Sequence, residues 1–152
     1  MATSLKFDVT VEELAEKVHN LGSDTLKVAL TNTSPNAADT HFDTVVGPPA
    51  VIESTSNAAE IAAGNGYTAG GNTVTITGSS QSGGTYSLVG NDSVFTSTGA
   101  FAQFRYVFFY NATGGAAATR PLLGWWDKAT AVDLADTETF TVDFGASILT
   151  LA

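Results

Sequence analysis

One stretch limits what this chain can become: Phe-Ala-Gln-Phe-Arg-Tyr-Val-Phe-Phe-Tyr, residues 101–110. Read with the two-residue period of a strand, one face carries Phe104, Tyr106, Phe108 and Tyr110, and the other Arg105, Val107 and Phe109. Both faces are largely apolar, so such a strand has to be covered on both sides. Aromatic side chains favour strands and bury large areas. A second aromatic run, Pro-Leu-Leu-Gly-Trp-Trp-Asp at 121–127, follows a connection of small residues. The pair reads as a long-looped hairpin at the centre of a β core.

The surroundings agree with that reading. Only 14% of the 152 residues are charged, while glycine, serine and threonine are abundant, a composition that suits strands and turns more than a helical bundle. The length fits one domain spanning 1–152 with a real core. A net charge of −9 would repel phosphate backbones and anionic headgroups, so neither nucleic acid nor membrane is an expected partner. With no cysteine, disulfides and thiol chemistry are excluded. No apolar run reaches the roughly 20 residues of a spanning helix, and the first residues lack a signal-peptide pattern. A soluble cytoplasmic protein, at least when first made, is the expectation.

Residues 10–20 predict the one helix. Thr10 and Glu13 have the spacing of a capping box, Val9 and Leu14 of a hydrophobic staple, and Val11, Leu14, Val18 and Leu21 of a buried stripe, with Gly22 as the stop. Strands are expected at 25–31, 72–77, 84–89, 92–97, 102–110, 121–127, 130–135, 137–144 and 148–151, with turns at 78–84 and at Gly90-Asn91. Within 137–144, Phe140, Val142 and Phe144 alternate inward and Thr139, Thr141 and Asp143 outward. The segment from about 32 to 59 holds Pro35, Pro48 and Pro49 and reads as an irregular proline-containing arm, with a short strand at 50–53. The predicted fold is all-β, an antiparallel sandwich or barrel-like domain with one short N-terminal α-helix.

Groups that could carry chemistry are few. His19 and His41 are the only histidines, which excludes a three-histidine zinc site, and structural or solvated roles suit both better than catalysis. Neither Gly-x-Ser-x-Gly nor a P-loop occurs, and Asn65-Gly66, Gly70-Gly71 and Gly83-Gly84 read as turn glycines; no cofactor is expected. Asp127, Asp133, Asp136, Glu138 and Asp143 could in principle offer oxygen ligands to calcium, but they lack the EF-hand spacing and read better as solvated charges. Trp125, Trp126, Tyr106 and Tyr110 could stack on a sugar, or could simply be core. Adjacent strand residues point to opposite faces, so one of Trp125 and Trp126 is a candidate for an interface. The expectation is a protein that is not an enzyme.

Five blocks carry a resemblance: 16–32 (Glu-Lys-Val-His-Asn-Leu-Gly-Ser-Asp-Thr-Leu-Lys-Val-Ala-Leu-Thr-Asn), 60–71 (Glu-Ile-Ala-Ala-Gly-Asn-Gly-Tyr-Thr-Ala-Gly-Gly), 104–111 (Phe-Arg-Tyr-Val-Phe-Phe-Tyr-Asn), 121–127 and 138–144 (Glu-Thr-Phe-Thr-Val-Asp-Phe). In this order they resemble a family of small tailed-bacteriophage virion proteins. The resemblance implies a structural protein, most like a capsid decoration (cement) protein on the outer capsid surface, with the major capsid protein as partner. A tail, neck or fibre component, including a receptor- or glycan-binding module, is the alternative it leaves open. A homo-oligomer is expected, a trimer or else a dimer. The arm is its candidate contact, because Val45, Val46, Val51 and Ile52 cannot build a core of their own; Trp125 and Trp126 are the other candidate contacts.

Overall fold

The computed structural model describes residues 5–43, 51–53, 59–113 and 120–152. Its strands are β1 (Leu5–Lys6), β2 (Leu26–Thr31), β3 (His41–Asp43), β4 (Val51–Glu53), β5 (Asn72–Thr73), β6 (Ile76–Ser82), β7 (Thr85–Gly90), β8 (Ser93–Thr96), β9 (Phe104–Asn111), β10 (Leu122–Val132), β11 (Thr139–Val142) and β12 (Leu149–Leu151). One short helix, α1 (Val9–Ala15), lies between β1 and β2. All pairings between these strands are antiparallel. Among the described residues the fold is all-β with a single short helix, as the alternation and composition predict.

The aromatic hairpin is the centre. β9 and β10 pair within a five-stranded sheet of order β1-β10-β9-β2-β5. On one face Val28, Leu30, Val107, Phe109, Leu123 and Trp126 pack with Leu88, Phe95, Phe140, Val142, Phe144 and Ile148. The latter come from the small sheets β11-β8 and β12-β7-β6 and the chain leading into β12, so this face closes as sheet on sheet. On the other face Ala29, Tyr106, Phe108, Tyr110, Leu122 and Trp125 pack with Phe7 and Phe42. Each large side chain sealed in this way contributes about 1.5–3 kcal/mol.

Several elements depart from the sequence reading, each for a visible reason. Phe104 does not share a face with Tyr106; it joins the sandwich core, on the side of Val107 and Phe109. Phe104 is paired with Val132 and Tyr106 with Asp127, so β10 carries an irregularity opposite one step of β9, and the parity of the strand changes there. That irregularity also joins the two strands expected at 121–127 and 130–135 into the single β10. At 72–77 the chain instead leaves the central sheet after Thr73 and enters the three-stranded sheet at Ile76. The turn expected across 78–84 shrinks to Gly83-Gly84, whose φ angles of +57° and +87° suit a two-residue hairpin loop between Ser82 and Thr85.

The helix is shorter than its pattern. It begins after Asp8, and Thr10 is not its cap but a fully buried residue whose hydroxyl lies 3.0 Å from Leu122 O and 3.1 Å from Leu123 O. Val18 N–H donates to Glu13 O and Lys17 N–H to Leu14 O, the paired bonds of a Schellman ending, with Lys17 itself at φ +63°. The helix therefore stops before Gly22, and the expected stripe is broken: Leu21 is buried, but Val11 and Val18 are 56% and 49% exposed.

Where it is described, at 32–43 and 51–53, the proline-containing segment is tied to the sheet. β3 pairs with β4, and Phe42 is sealed between the rings of Phe108 and Tyr110, each 4.9 Å away. Phe42 N–H donates to Arg120 O and Leu122 N–H to Thr40 O, which ties β3 to the start of β10. Val51 and Ile52 lie in β4, opposite Asp43 and Phe42; Val45 and Val46 fall outside the described residues.

Candidate functional site

A buried polar cluster lies where the segment 60–71 crosses the β2–β5 edge of the central sheet. Glu60, 5% exposed, is fixed by a bridge between Thr31 and Glu60 and by Ile61 N–H donating to Leu30 O. Its Oε2 accepts from Gly70 N–H at 2.8 Å and from the Tyr67 hydroxyl at 3.0 Å. The Tyr67 oxygen in turn accepts from Leu30 N–H at 3.3 Å, and the Tyr110 hydroxyl donates to Gly70 O at 2.8 Å. Tyr67 belongs to the sandwich core and Tyr110 to the opposite one, so the cluster joins the two around the sheet edge. Close approach makes it possible: Gly71, at φ +68°, sits where a Cβ would come within 1.9 Å of Val28 O.

Burial dominates the electrostatics. It pushes the Glu60 carboxyl above the usual range, against the pull of the Gly70 N–H, the Tyr67 hydroxyl and the charges of Lys27 and Arg120. Burial first, then the Glu60 charge, raises the Tyr67 hydroxyl far above its ordinary value; Tyr110 rises mainly by burial as well. Both tyrosines therefore remain protonated donors at neutral pH. Lys27 is lowered, by desolvation and then by Arg120. The Arg120 Nε atom is buried without a hydrogen bond. An enclosed carboxylate whose Oε2 already serves two donors is placed to hold a chain crossing; reaction with a substrate would require access to it.

His19 sits in a second cluster. Its Nε2 lies 3.1 Å from Glu13 Oε2, and its Nδ1 3.1 Å from the Asn111 amide nitrogen. That nitrogen also meets Asp24 Oδ2 at 2.6 Å, while Asn111 Oδ1 accepts from Thr113 N–H at 2.9 Å. The amide orientation is set by these two partners, so Nδ1 accepts and Nε2–H donates to Glu13. Both ring nitrogens are occupied and the side chain is fully buried, the geometry of a structural histidine. His41 Nδ1 is 2.9 Å from the Thr40 hydroxyl.

The C-terminal acids do not converge. Asp127 pairs with Arg105 through both oxygens at 2.7 and 2.8 Å, and that guanidinium holds its carboxyl below the ordinary range. Asp133 accepts from Gln103, Glu138 from Ala135 N–H, and Asp143 from Gly145 N–H. Among the described residues no group of three or more His, Cys, Asp or Glu could hold a metal ion. Nor do the aromatics form a platform. Tyr106, Tyr110, Trp125 and Trp126 are 8%, 0%, 7% and 5% exposed, so the core reading applies to all four. The two tryptophans do point to opposite faces, but both faces are covered: Trp126 lies in the sandwich core and Trp125 against Phe7, with ring centres 4.5 Å apart.

Sequence reasoning passed over Glu60 as part of a glycine-rich connection. Its signal was isolation: it is the sole charged residue between Glu53 and Asp92, among alanine, glycine and isoleucine. Arg120, beside the small-residue connection, gave no such signal. No protein-family model, no curated protein and no solved structure matches this chain.

Proposed function

We propose that this protein is a structural component of a tailed-phage particle, a decoration protein that binds the outer head shell and stabilises contacts between capsomers. The observation that carries the reading is where the resembling blocks fall. They contain β2, β9, most of the paired part of β10, β11 and the Glu60–Tyr67–Gly70 tie, which together are the framework of both cores. Within these blocks His19, Asp24, Glu60, Arg105 and Asp127 make internal ties, as suits a domain that works by presenting a rigid surface in many copies. Binding to the assembled shell and not to its separate parts stabilises the shell by mass action. Cryo-electron microscopy of the particle tests the reading, with density for this chain expected on the head surface at hundreds of copies. A handful of copies at the tail or neck would move it to the alternative position, and absence from the particle would end it.

A further inference from the structure

The outer face of the β8–β11 pair is uncharged and β-branched. Alternation sends Phe95, Phe140 and Val142 into the core, and leaves Val94, Thr96, Thr139 and Thr141 exposed. Register sets Thr139 opposite Thr96 and Thr141 opposite Val94, so the four form one contiguous patch. All four are β-branched and uncharged, and Val94, 49% exposed, is a large apolar side chain left in water. β-Branched side chains have few rotamers to lose, so such a patch is ordered at little cost when it docks.

The ends of the patch are acidic. Asp92 and Asp143 flank the end where Ser93 pairs with Val142; Glu138 and Asp136 flank the other, beside the Thr96–Thr139 pair. Three of these carboxylates are fixed by the backbone: Asp92 accepts from Phe144 N–H, Asp143 from Gly145 N–H and Glu138 from Ala135 N–H. No lysine or arginine occurs in 92–98 or 136–145. Lys128 lies 5.4 Å from the ring of Phe140, whose side chain points into the core. Among the described residues β11 pairs with β8 alone.

We infer that this face is the surface that docks on the head shell, and that the shell meets it with a flat patch of small or apolar side chains ringed by lysine and arginine. The inference rests on the proposed function for the identity of the partner. Charge selects the occupant. A second copy of this chain, net −9, would set an identical acidic rim against this one, and nucleic acid would be repelled as well. A basic rim is attracted, over a range of about 10 Å at 0.1 M salt.

The test uses heads purified from a phage lacking this gene and the full-length protein added back. Wild type should bind, and more weakly as salt rises. Thr139→Lys combined with Thr141→Lys should lower affinity by at least about tenfold, while Ser80→Lys on the exposed β6–β7 hairpin should leave it unchanged. Asp136→Asn with Glu138→Gln, which keeps hydrogen-bond acceptors, should reduce the salt dependence; unchanged thermal unfolding shows that each variant is folded. If wild type binds and both patch variants bind as well as it does, the docking face is wrong and the proposed function stands. If wild type does not bind the heads, both fall.

Discussion

On one face of the central sheet, Val28, Val107, Phe109 and Trp126 meet side chains delivered by β7, β8, β11 and the approach to β12. On the other, Phe108, Tyr110 and Trp125 meet Phe7, between β1 and α1, and Phe42, in the short strand β3. The first face is closed by repetition: alternating strands each supply a row of apolar residues, and the loss of one leaves neighbours in place. The second is closed by anchors, and each anchor holds a whole segment down. Phe42 places β3 and Phe7 places the entry to α1. Equal burial can thus rest on different architectures, and the two should fail differently when cut.

The sharpest way to break the comparison is to remove one ring from each face. Phe104→Ala and Phe42→Ala should each cost about 3–5 kcal/mol, read from urea unfolding. Hydrogen exchange separates them. Phe104→Ala should weaken protection throughout β8, β9 and β11, whereas Phe42→Ala should release the amides of β3 first, ahead of global unfolding. Equal, uniform loss in both variants would mean that the second face is as cooperative as the first.

The tie between the faces gives the next effect. Glu60→Ala strips the acceptor from Tyr67 and Gly70 and should cost about 1–3 kcal/mol. The sign of its pH dependence follows from burial. A folded-state carboxyl raised above its unfolded value makes the folded protein hold the proton more tightly. Its contribution is complete below the unfolded value and declines as pH rises through the folded one. Glu60→Gln keeps an acceptor without the charge, so its stability should lose that decline. Parallel pH profiles for wild type and Glu60→Gln would show that burial does not raise this group. The smallest effect is expected at Thr10. Thr10→Val keeps the shape but deprives Leu122 O and Leu123 O of their donor, for a loss of about 0.5–1.5 kcal/mol.

The same contrast explains what the sequence made legible. The alternation of Leu26, Val28 and Leu30, of Phe140 and Val142, and the double-sided apolar stretch in β9 report burial directly, because a strand between layers has a fixed period. Phe42 has no such context: it stands between His41 and Asp43 in a stretch rich in proline and small polar residues, and only the ring slot between Phe108 and Tyr110 gives it a place. Thr10 misled for a related reason. A hydroxyl ahead of a helical pattern reads as a cap, yet here it serves carbonyls 112 and 113 residues away. Local propensity cannot register a partner so distant. The Glu60 cluster was equally hidden, because its partners lie on β2, β9 and the glycine turn.

That distance has a consequence for how the protein is made. β1 pairs with Gly124 and Trp125, and Thr10 lies under Leu122 and Leu123. During synthesis Leu5, Lys6 and Thr10 emerge from the ribosome long before their partners exist. The rings of Phe108, Tyr110 and Trp125 then emerge late and in quick succession. Closing loops of this length is slow, and strand edges stay unpaired meanwhile. The chain should therefore remain open to aggregation until residues 122–125 have been translated, and a truncated product ending before Leu122 should be recovered as insoluble protein.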